Sequence, residues 1–421
     1  MRTRSRILGL LLLTATACVD PDSGDDVGDD ADDGEEIGGA LCPDPRQGLL
    51  AFDVSGGALS STTYPLPPAD WQLTGALGSG DFDGDGSTDL VIGPQIVFGP
   101  ISASSEHVAL DVGELTYHGA LAVDLDDDGR DELVLGLMRE LDSTPHARLF
   151  AVSATREIEA LELPVWSDNP GSGRLSFAAG DVSGDGLTDL VFGTAHFGLA
   201  SETGEFAVFV GDGARGFAEQ VEILEYAAPN FAGHSVVSLA LADLDGVGGL
   251  DILSTHAISS YSGSKPDDFI LETTDVLANP TFVRSDQGYA LRAATFADVT
   301  QDGRADVVAW EWQVYVAPGH ESGGFDPEVL AFESDVQAFA PTMIVTDLDQ
   351  DALPDLLIAP SEGDYPLALA RGQAGGTLAE PVFAQAPGFD GVLSGGTVSD
   401  IDDDGTPEIV ALGHWCGVSV D

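Results

Sequence analysis

The chain has 421 residues, with 72 acidic against 15 basic side chains and a formal charge of −57. A field of that sign repels nucleic acid and anionic lipid and gathers cations, so neither is an expected partner. Hydrophobic residues make up 43% of the chain, enough for a large core, which excludes a disordered acidic polymer.

Arg2, Arg4 and Arg6 precede a short apolar run over residues 7–13 and then small residues, the pattern of a targeting segment over residues 1–17. That run is too short to span a bilayer as a helix. The stretch Thr14-Ala15-Thr16-Ala17-Cys18 resembles a bacterial lipobox, in which the cysteine becomes lipidated, although Ala15 stands where such a site usually has leucine. Ala15-Thr16-Ala17 equally fits an ordinary signal-peptidase site. Either cleavage takes the protein across the inner membrane into the cell envelope. Lipid on Cys18 is the expected attachment, at the outer membrane, because no later stretch is long and apolar enough to span a bilayer.

Residues 18–41 read as an acidic linker: between Asp20 and Glu36, ten of seventeen residues are Asp or Glu. Residues 42–421 form the folded body. Three cysteines are present, Cys18, Cys42 and Cys416. If Cys18 carries lipid, Cys42 and Cys416 are left as a candidate disulfide in an oxidising compartment.

One segment recurs seven times through the body. DFDGDGSTD, starting at Asp81 and followed by the strand-like LVIG, returns at Asp124, Asp181, Asp243, Asp298, Asp347 and Asp400, at intervals of 43 to 62 residues. Apolar, β-rich segments flank each copy, so loop and flanks read as a hairpin. A second hairpin follows several copies, as in the FAVFVGDGARGF segment ending at Phe217, giving four short strands per unit. Units of about fifty residues with four strands each lie near the propeller range.

The loop with its aliphatic strand resembles the FG-GAP and VCBS repeat family, the type found in the propeller of integrin α subunits, and Phe98-Gly99-Pro100 resembles the phrase behind the first of those names. The resemblance covers about residues 43–421 and implies an all-β, seven-bladed β-propeller with calcium in the loop joining the first two strands of each blade. Room remains after the last loop for a single strand, Ile409 to Leu412, so the last blade lacks two. Residues 48–59 resemble a second hairpin and are expected to supply them from the other end of the chain. Cys42 would enter that blade near the point where Cys416 leaves it, and a disulfide there is worth on the order of 4 to 5 kcal/mol in the chain-entropy model.

Calcium requires six to eight oxygens, and alternate residues of a tight loop can aim carboxylates at one centre. The expected ligands are Asp81, Asp83, Asp85 and Asp89 at loop positions 1, 3, 5 and 9, with the Ser87 carbonyl at position 7 and Gly86 allowing the turn. Asp124, Asp126, Asp128 and Glu132, and likewise Asp400, Asp402, Asp404 and Glu408, are complete sets. The third loop offers Asp181, Ser183, Asp185 and Asp189, and the fifth Asp298, Thr300, Asp302 and Asp306, each trading a carboxylate for a hydroxyl and so binding more weakly. The sixth keeps Asp347, Asp349, Asp351 and Asp355 but places Ala352 at the turn, where strain is expected. In the fourth, Val247 replaces the position 5 oxygen and leaves Asp243, Asp245 and Asp251, the weakest of up to seven sites. An EF-hand is excluded because Ile92 stands at position 12, where that motif needs a bidentate glutamate.

The expected function is a monomeric, envelope-anchored adhesion or ligand-binding module for an extracellular protein or glycan, with calcium in a structural role. Variable loops over 141–173 and 255–287, carrying Trp166 and Tyr261, are where specificity is expected. A secreted polysaccharide- or phosphoester-cleaving enzyme and a purely structural envelope protein are the alternatives. The eight scattered histidines and the absence of HExxH or GxSxG motifs disfavour the enzyme.

Overall fold

The computed structural model describes residues 45–416 except 55–59, 66–76, 103, 140–143, 164–174, 195–204, 225–233, 245–247, 259–268, 275–280, 287–292, 311–312, 322–323, 328, 334–341, 360–366 and 385–391. Cys18, Cys42, Asp245, Val247, Trp166 and Tyr261 lie outside these residues. The described residues are all-β, without a helix, and so none is long and apolar enough to cross a membrane.

They form seven four-stranded antiparallel sheets. Sheet one is Leu77–Gly80, Asp89–Ile92, Gln95–Val97 and His107–Ala109; sheet two is Thr116–Val123, Glu132–Arg139, Thr144–Val152 and Ile158–Leu161. Sheet three is Leu175–Gly180, Asp189–Thr194, Glu205–Gly211 and Phe217–Leu224; sheet four is His234–Ala242, Asp251–Ile258, Phe269–Thr274 and Thr281–Asp286. Sheet five is Ala293–Ala297, Asp306–Trp310, Gln313–Ala317 and Val329–Glu333. Sheet six is Thr342–Thr346, Asp355–Ala359, Leu367–Ala370 and Val382–Ala384, with the small ladder Gly372–Gln373 and Thr377–Leu378 inserted before its last strand.

Sheet seven joins distant parts of the chain. Val392–Ser399 and Glu408–Cys416 pair with each other, and Pro45–Asp53 then pairs with Glu408–Cys416, from Pro45 opposite Cys416 to Phe52 opposite Ile409. Ser60–Pro65 completes it as the outer strand. The strand read as Ile409 to Leu412 is therefore longer, because its partner from the N-terminal side extends the ladder to Cys416.

Seven apolar clusters hold these sheets, each lying between two consecutive sheets, and their order is circular. The second strands show how. In the run after each loop, side chains alternate between the two faces. Leu90 and Ile92 face sheet seven while Val91 faces sheet two; Leu356 and Ile358 face sheet five while Leu357 and Ala359 face sheet seven; Ile409 and Ala411 face sheet six while Val410 and Leu412 face sheet one. Burial on both faces is why these strands are continuous aliphatic runs rather than alternating ones. The first strands of consecutive sheets also touch in sequence, and Val392–Ser399 touches Leu77–Gly80, which returns the series to its start.

Leu49, fully buried in the cluster between sheets seven and one, tests this closure. Leu49→Ala is expected to lower unfolding free energy by about 2–5 kcal/mol in urea titrations. Val329→Ala, at a site 62% exposed, should change it by no more than about 0.5 kcal/mol.

Candidate metal centres

All seven loops join the first and second strands of their sheets, so one edge of the sheet array carries them all. Neighbouring loops are tied together. Asp131 N–H donates to the Asp81 carbonyl (2.9 Å) and Leu250 N–H to the Asp181 carbonyl (2.7 Å), each linking position 8 of one loop to position 1 of the loop before it. Gln301 Nε2 donates to the Ala352 carbonyl, Gln350 Nε2 to the Gly405 carbonyl, and Ser87 Oγ to Asp403 Oδ2. A largely carboxylate surface results.

Within a loop, three side chains organise the backbone. The position 1 aspartate accepts two or more N–H groups: Gly84 and Gly86 donate to Asp81, Asp128 and Gly129 to Asp124, Asp302 and Gly303 to Asp298, Asp404 and Gly405 to Asp400. Position 5 accepts the N–H of position 7, as Ser87 to Asp85 and Thr406 to Asp404. Position 6 is left-handed in every loop, including Ala352 at φ 71°, where a side chain meets the strain expected there. Position 4 is left-handed as well in the six loops that describe it, at Gly84, Asp127, Gly184, Gln301, Gln350 and Asp403, a feature that the sequence reading missed.

Position 9 behaves differently from a simple ligand. Its carboxylate is at most 8% exposed in every loop. One oxygen accepts a backbone N–H from the start of the loop: Phe82 to Asp89, Leu125 to Glu132, Val182 to Asp189, Leu244 to Asp251, Thr300 to Asp306, Leu348 to Asp355 and Ile401 to Glu408. In four of the five loops with aspartate there, the other oxygen accepts the N–H of a glycine at the end of the third strand: Gly99 to Asp89, Gly211 to Asp189, Gly319 to Asp306 and Gly372 to Asp355. A Cβ on any of these four glycines would lie 2.2 to 2.6 Å from the carbonyl oxygen of loop position 8, so only glycine brings its N–H close enough. Asp89, Asp189, Asp306 and Asp355, expected as metal ligands, thus commit both oxygens to backbone N–H groups and staple loop to strand.

Glutamate at position 9 is one methylene longer. Glu132 and Glu408 keep the first of those hydrogen bonds through Oε2 and join the carboxylate clusters, whereas Asp89 and Asp355 do not. Four clusters have oxygens within 4.8 Å of one another among the described residues: Asp81, Asp83 and Asp85; Asp124, Asp126 and Glu132; Asp347, Asp349 and Asp351; and Asp400, Asp402, Asp404 and Glu408. Asp128 stands outside the second, turned toward Arg130 and Arg215. Loops three and five gather no such set. Ser183 Oγ donates to Asp181, and Thr300 Oγ1 to Asp306.

The electrostatics match convergent, poorly solvated carboxylates. Burial pushes Asp89, Glu132 and Glu408 up to about 7, with neighbouring aspartates adding to the rise. Burial likewise raises Asp81, Asp189, Asp306 and Asp355. The hydrogen bond and charge of Arg130 hold Asp128 below its ordinary value. A cation fits the second loop on separate grounds: Asp126 Oδ1 is buried and accepts no hydrogen bond. A hard divalent cation satisfies such an oxygen without a proton, and the donor set, all carboxylate, suits calcium.

No family model matches the chain, and no curated protein matches it. Solved structures that match include a Dos1 propeller at 11% identity, covering 78% of this chain and 75% of that one with a TM-score of 0.46. The V. cholerae biofilm matrix protein Bap1 matches at 11% identity, covering 86% and 72%, with a TM-score of 0.31. An alpha-L-arabinofuranosidase from Fusarium graminearum, in complex with an iminosugar inhibitor, matches at 10% identity, covering 87% and 97%, with a TM-score of 0.45.

Glu408 gives a test with a defined sign. Its folded-state pKa of about 7 lies above the ordinary value of 4.5, so the folded protein holds the extra proton between those values. That contribution is present at low pH and is lost as pH rises through 7. In chelator, Glu408→Gln should therefore melt higher than the parent at pH 8 and equal to it at pH 4. In calcium the order at pH 8 should reverse, because the variant lacks a ligand; differential scanning calorimetry reads all four values.

Proposed function

We propose that the protein is a seven-bladed β-propeller of the FG-GAP/VCBS type whose carboxylate loops bind calcium, and that it acts as an adhesion or ligand-binding module in the cell envelope. The observation that carries this reading is the seventh loop, where Asp400, Asp402, Asp404 and Glu408 bring four carboxylates together. Four like charges at that separation are mutually repulsive in a partly desolvated site, and a divalent ion converts the repulsion into a tie between strands. Asp400, Asp402 and Asp404 would supply ligands from the loop and Glu408 one from the second strand. The ion is structural: it fixes the loop edge of the blades whose carboxylates converge, and the longer connections on the blades carry recognition.

An extracellular protein or glycan is the ligand class in this reading, with export directed by residues 1–17, lipid on Cys18 and a Cys42–Cys416 disulfide beside the closing strands. The negative surface favours partners that present cationic or hydroxyl groups and disfavours nucleic acid.

Chelation is the direct test. The purified protein should contain calcium by elemental analysis, and EDTA should lower its melting temperature while calcium restores it. Asp402→Asn with Asp404→Asn should reduce bound calcium and the calcium-dependent stabilisation, whereas Asp243→Asn, in the loop where Val247 replaces the position 5 oxygen, should leave both nearly unchanged. Capture on protein or glycan arrays that disappears in EDTA supports a binding module. A fully calcium-loaded protein that captures nothing argues for a structural envelope component instead.

A further inference from the structure

Arg156 and Arg215 occupy the same place in successive sheets. Each lies three residues after a turn residue whose side chain caps the turn: Thr155 and Glu157 N–H donate to Ser153 Oγ, and Ala214 and Gly216 N–H to Asp212 Oδ1. Each has a left-handed backbone, φ 63° and 65°, which non-glycine residues rarely adopt. Each guanidinium leaves its own sheet and lands on the loop of the preceding one. Arg156 Nε is 2.7 Å from Asp83 Oδ2 and its Nη2 3.5 Å from Asp85 Oδ2, while the guanidinium stacks 4.5 Å from the Phe98 ring centre. Arg215 Nε is 2.9 Å from Asp126 Oδ2 and 2.7 Å from Glu132 Oε1, and its Nη2 is 2.6 Å from Asp128 Oδ2.

A third copy of this turn shows what the arginine answers to. Gly376 N–H donates to the Gln373 carbonyl just as Arg156 N–H does to that of Ser153, again with positive φ, 75°. A Cβ on Gly376 would lie 2.7 Å from Thr300 Cα, at position 3 of the preceding loop. The turn therefore stands over position 3 each time. Over Asp83 and Asp126 it carries an arginine; over the uncharged Thr300 it carries a glycine. Loop seven has its four carboxylates but no ion pair with an arginine among the described residues.

We propose that Arg156 and Arg215 are built-in counter-cations for loops one and two, compensating the same negative charge that a bound divalent ion would compensate. This rests on the calcium reading above. Two cations facing one set of carboxylates repel each other, so each contributes less when the other is present. Without metal, the guanidinium keeps loops one and two partly neutralised and their sheets docked. Loop seven has the ion alone, and its order follows the metal concentration. Asp126 shows how both can be served: Oδ2 faces Arg215, while Oδ1 is buried without a hydrogen bond.

The full-length protein, melted in EDTA and in saturating calcium, tests this with Arg156→Gln, Arg215→Gln, the double variant and Arg215→Lys. The glutamine variants should lose melting temperature mainly in EDTA, so that the calcium-induced shift widens by about 2 °C or more over the parent, with Arg215→Lys closer to the parent. An equal loss in both conditions would show a strut between sheets and overturn the proposal. A narrower calcium shift would overturn it too, because the arginines would then be orienting ligands for the ion. If no protein, parent or variant, responds to calcium, the calcium reading fails and this proposal with it; a parent shift that the substitutions leave unchanged refutes only this proposal. Should the double variant fail to fold in calcium, Arg156→Gln alone decides, since Arg156 touches the side chains of only two loop carboxylates.

Discussion

The constraint on which this structure depends is the disposal of negative charge at the junction between the first two strands of each sheet. Alternate loop residues aim carboxylates inward, and position 9 adds one more at the foot of a buried strand. Left alone, such groups would push strands apart or take up protons. Two means of compensation are visible: backbone N–H groups, which take both oxygens of Asp89, Asp189, Asp306 and Asp355, and guanidinium groups from outside the loop, on loops one, two and six; where carboxylates still converge, the proposed cation would be a third. These differ in reach. Hydrogen bonds from the backbone are fixed by the fold, guanidinium groups bind one loop to another part of the molecule, and an ion responds to the medium.

Electrostatics and packing are coupled through position 9. The residue after it begins the aliphatic run whose side chains fill the spaces on both faces of a sheet, so the staple from Asp89 to Phe82 and Gly99 also sets where Leu90, Val91 and Ile92 begin their alternation. A shift of one residue there would exchange the two faces, sending side chains sized for one neighbour toward the other. Pairing of Pro45–Asp53 with Glu408–Cys416 places Leu49 and Leu50 in different clusters, against sheets one and six, so one strand from the beginning of the body contributes to two of the seven contacts.

How much of this was legible in the sequence follows from how far apart the interacting residues lie. The loops were plain, because positions 1 to 9 are contiguous and recur, and the strands beside them were plain from their aliphatic runs. The all-β architecture came with them. The role of position 9 was not legible: an aspartate whose oxygens accept N–H groups is the same letter as one that faces an ion, and its glycine partner stands 10 residues away at Gly99, 22 at Gly211, 13 at Gly319 and 17 at Gly372. Nothing periodic marks such a glycine. Left-handed position 4 was hidden by its variety, since aspartate and glutamine stand there as well as glycine. The arginines were least legible, because Arg156 is 73 residues from Asp83 and Arg215 is 87 from Asp128. Nothing local in the sequence sets these two apart among the 15 basic residues of the chain.

Glutamate and aspartate at position 9 divide the loops further. Aspartate is short enough to be held wholly by the backbone, and in loops one, three, five and six it occurs where the third strand ends in a suitable glycine. Glutamate occurs in sheets two and seven, where the corresponding strand ends lead into Ser153 and Val54 instead, and its extra methylene carries one oxygen into the loop. That oxygen needs a positive partner. In loop two Arg215 supplies one at 2.7 Å, and in loop seven no arginine does, although the two loops have the same four carboxylate positions. Loop seven lies in the sheet built from both ends of the described chain. The carboxylate cluster without an arginine partner among the described residues is therefore the one beside the seam, so a cation bound there, as proposed, would bear on whether the circle of sheets stays joined.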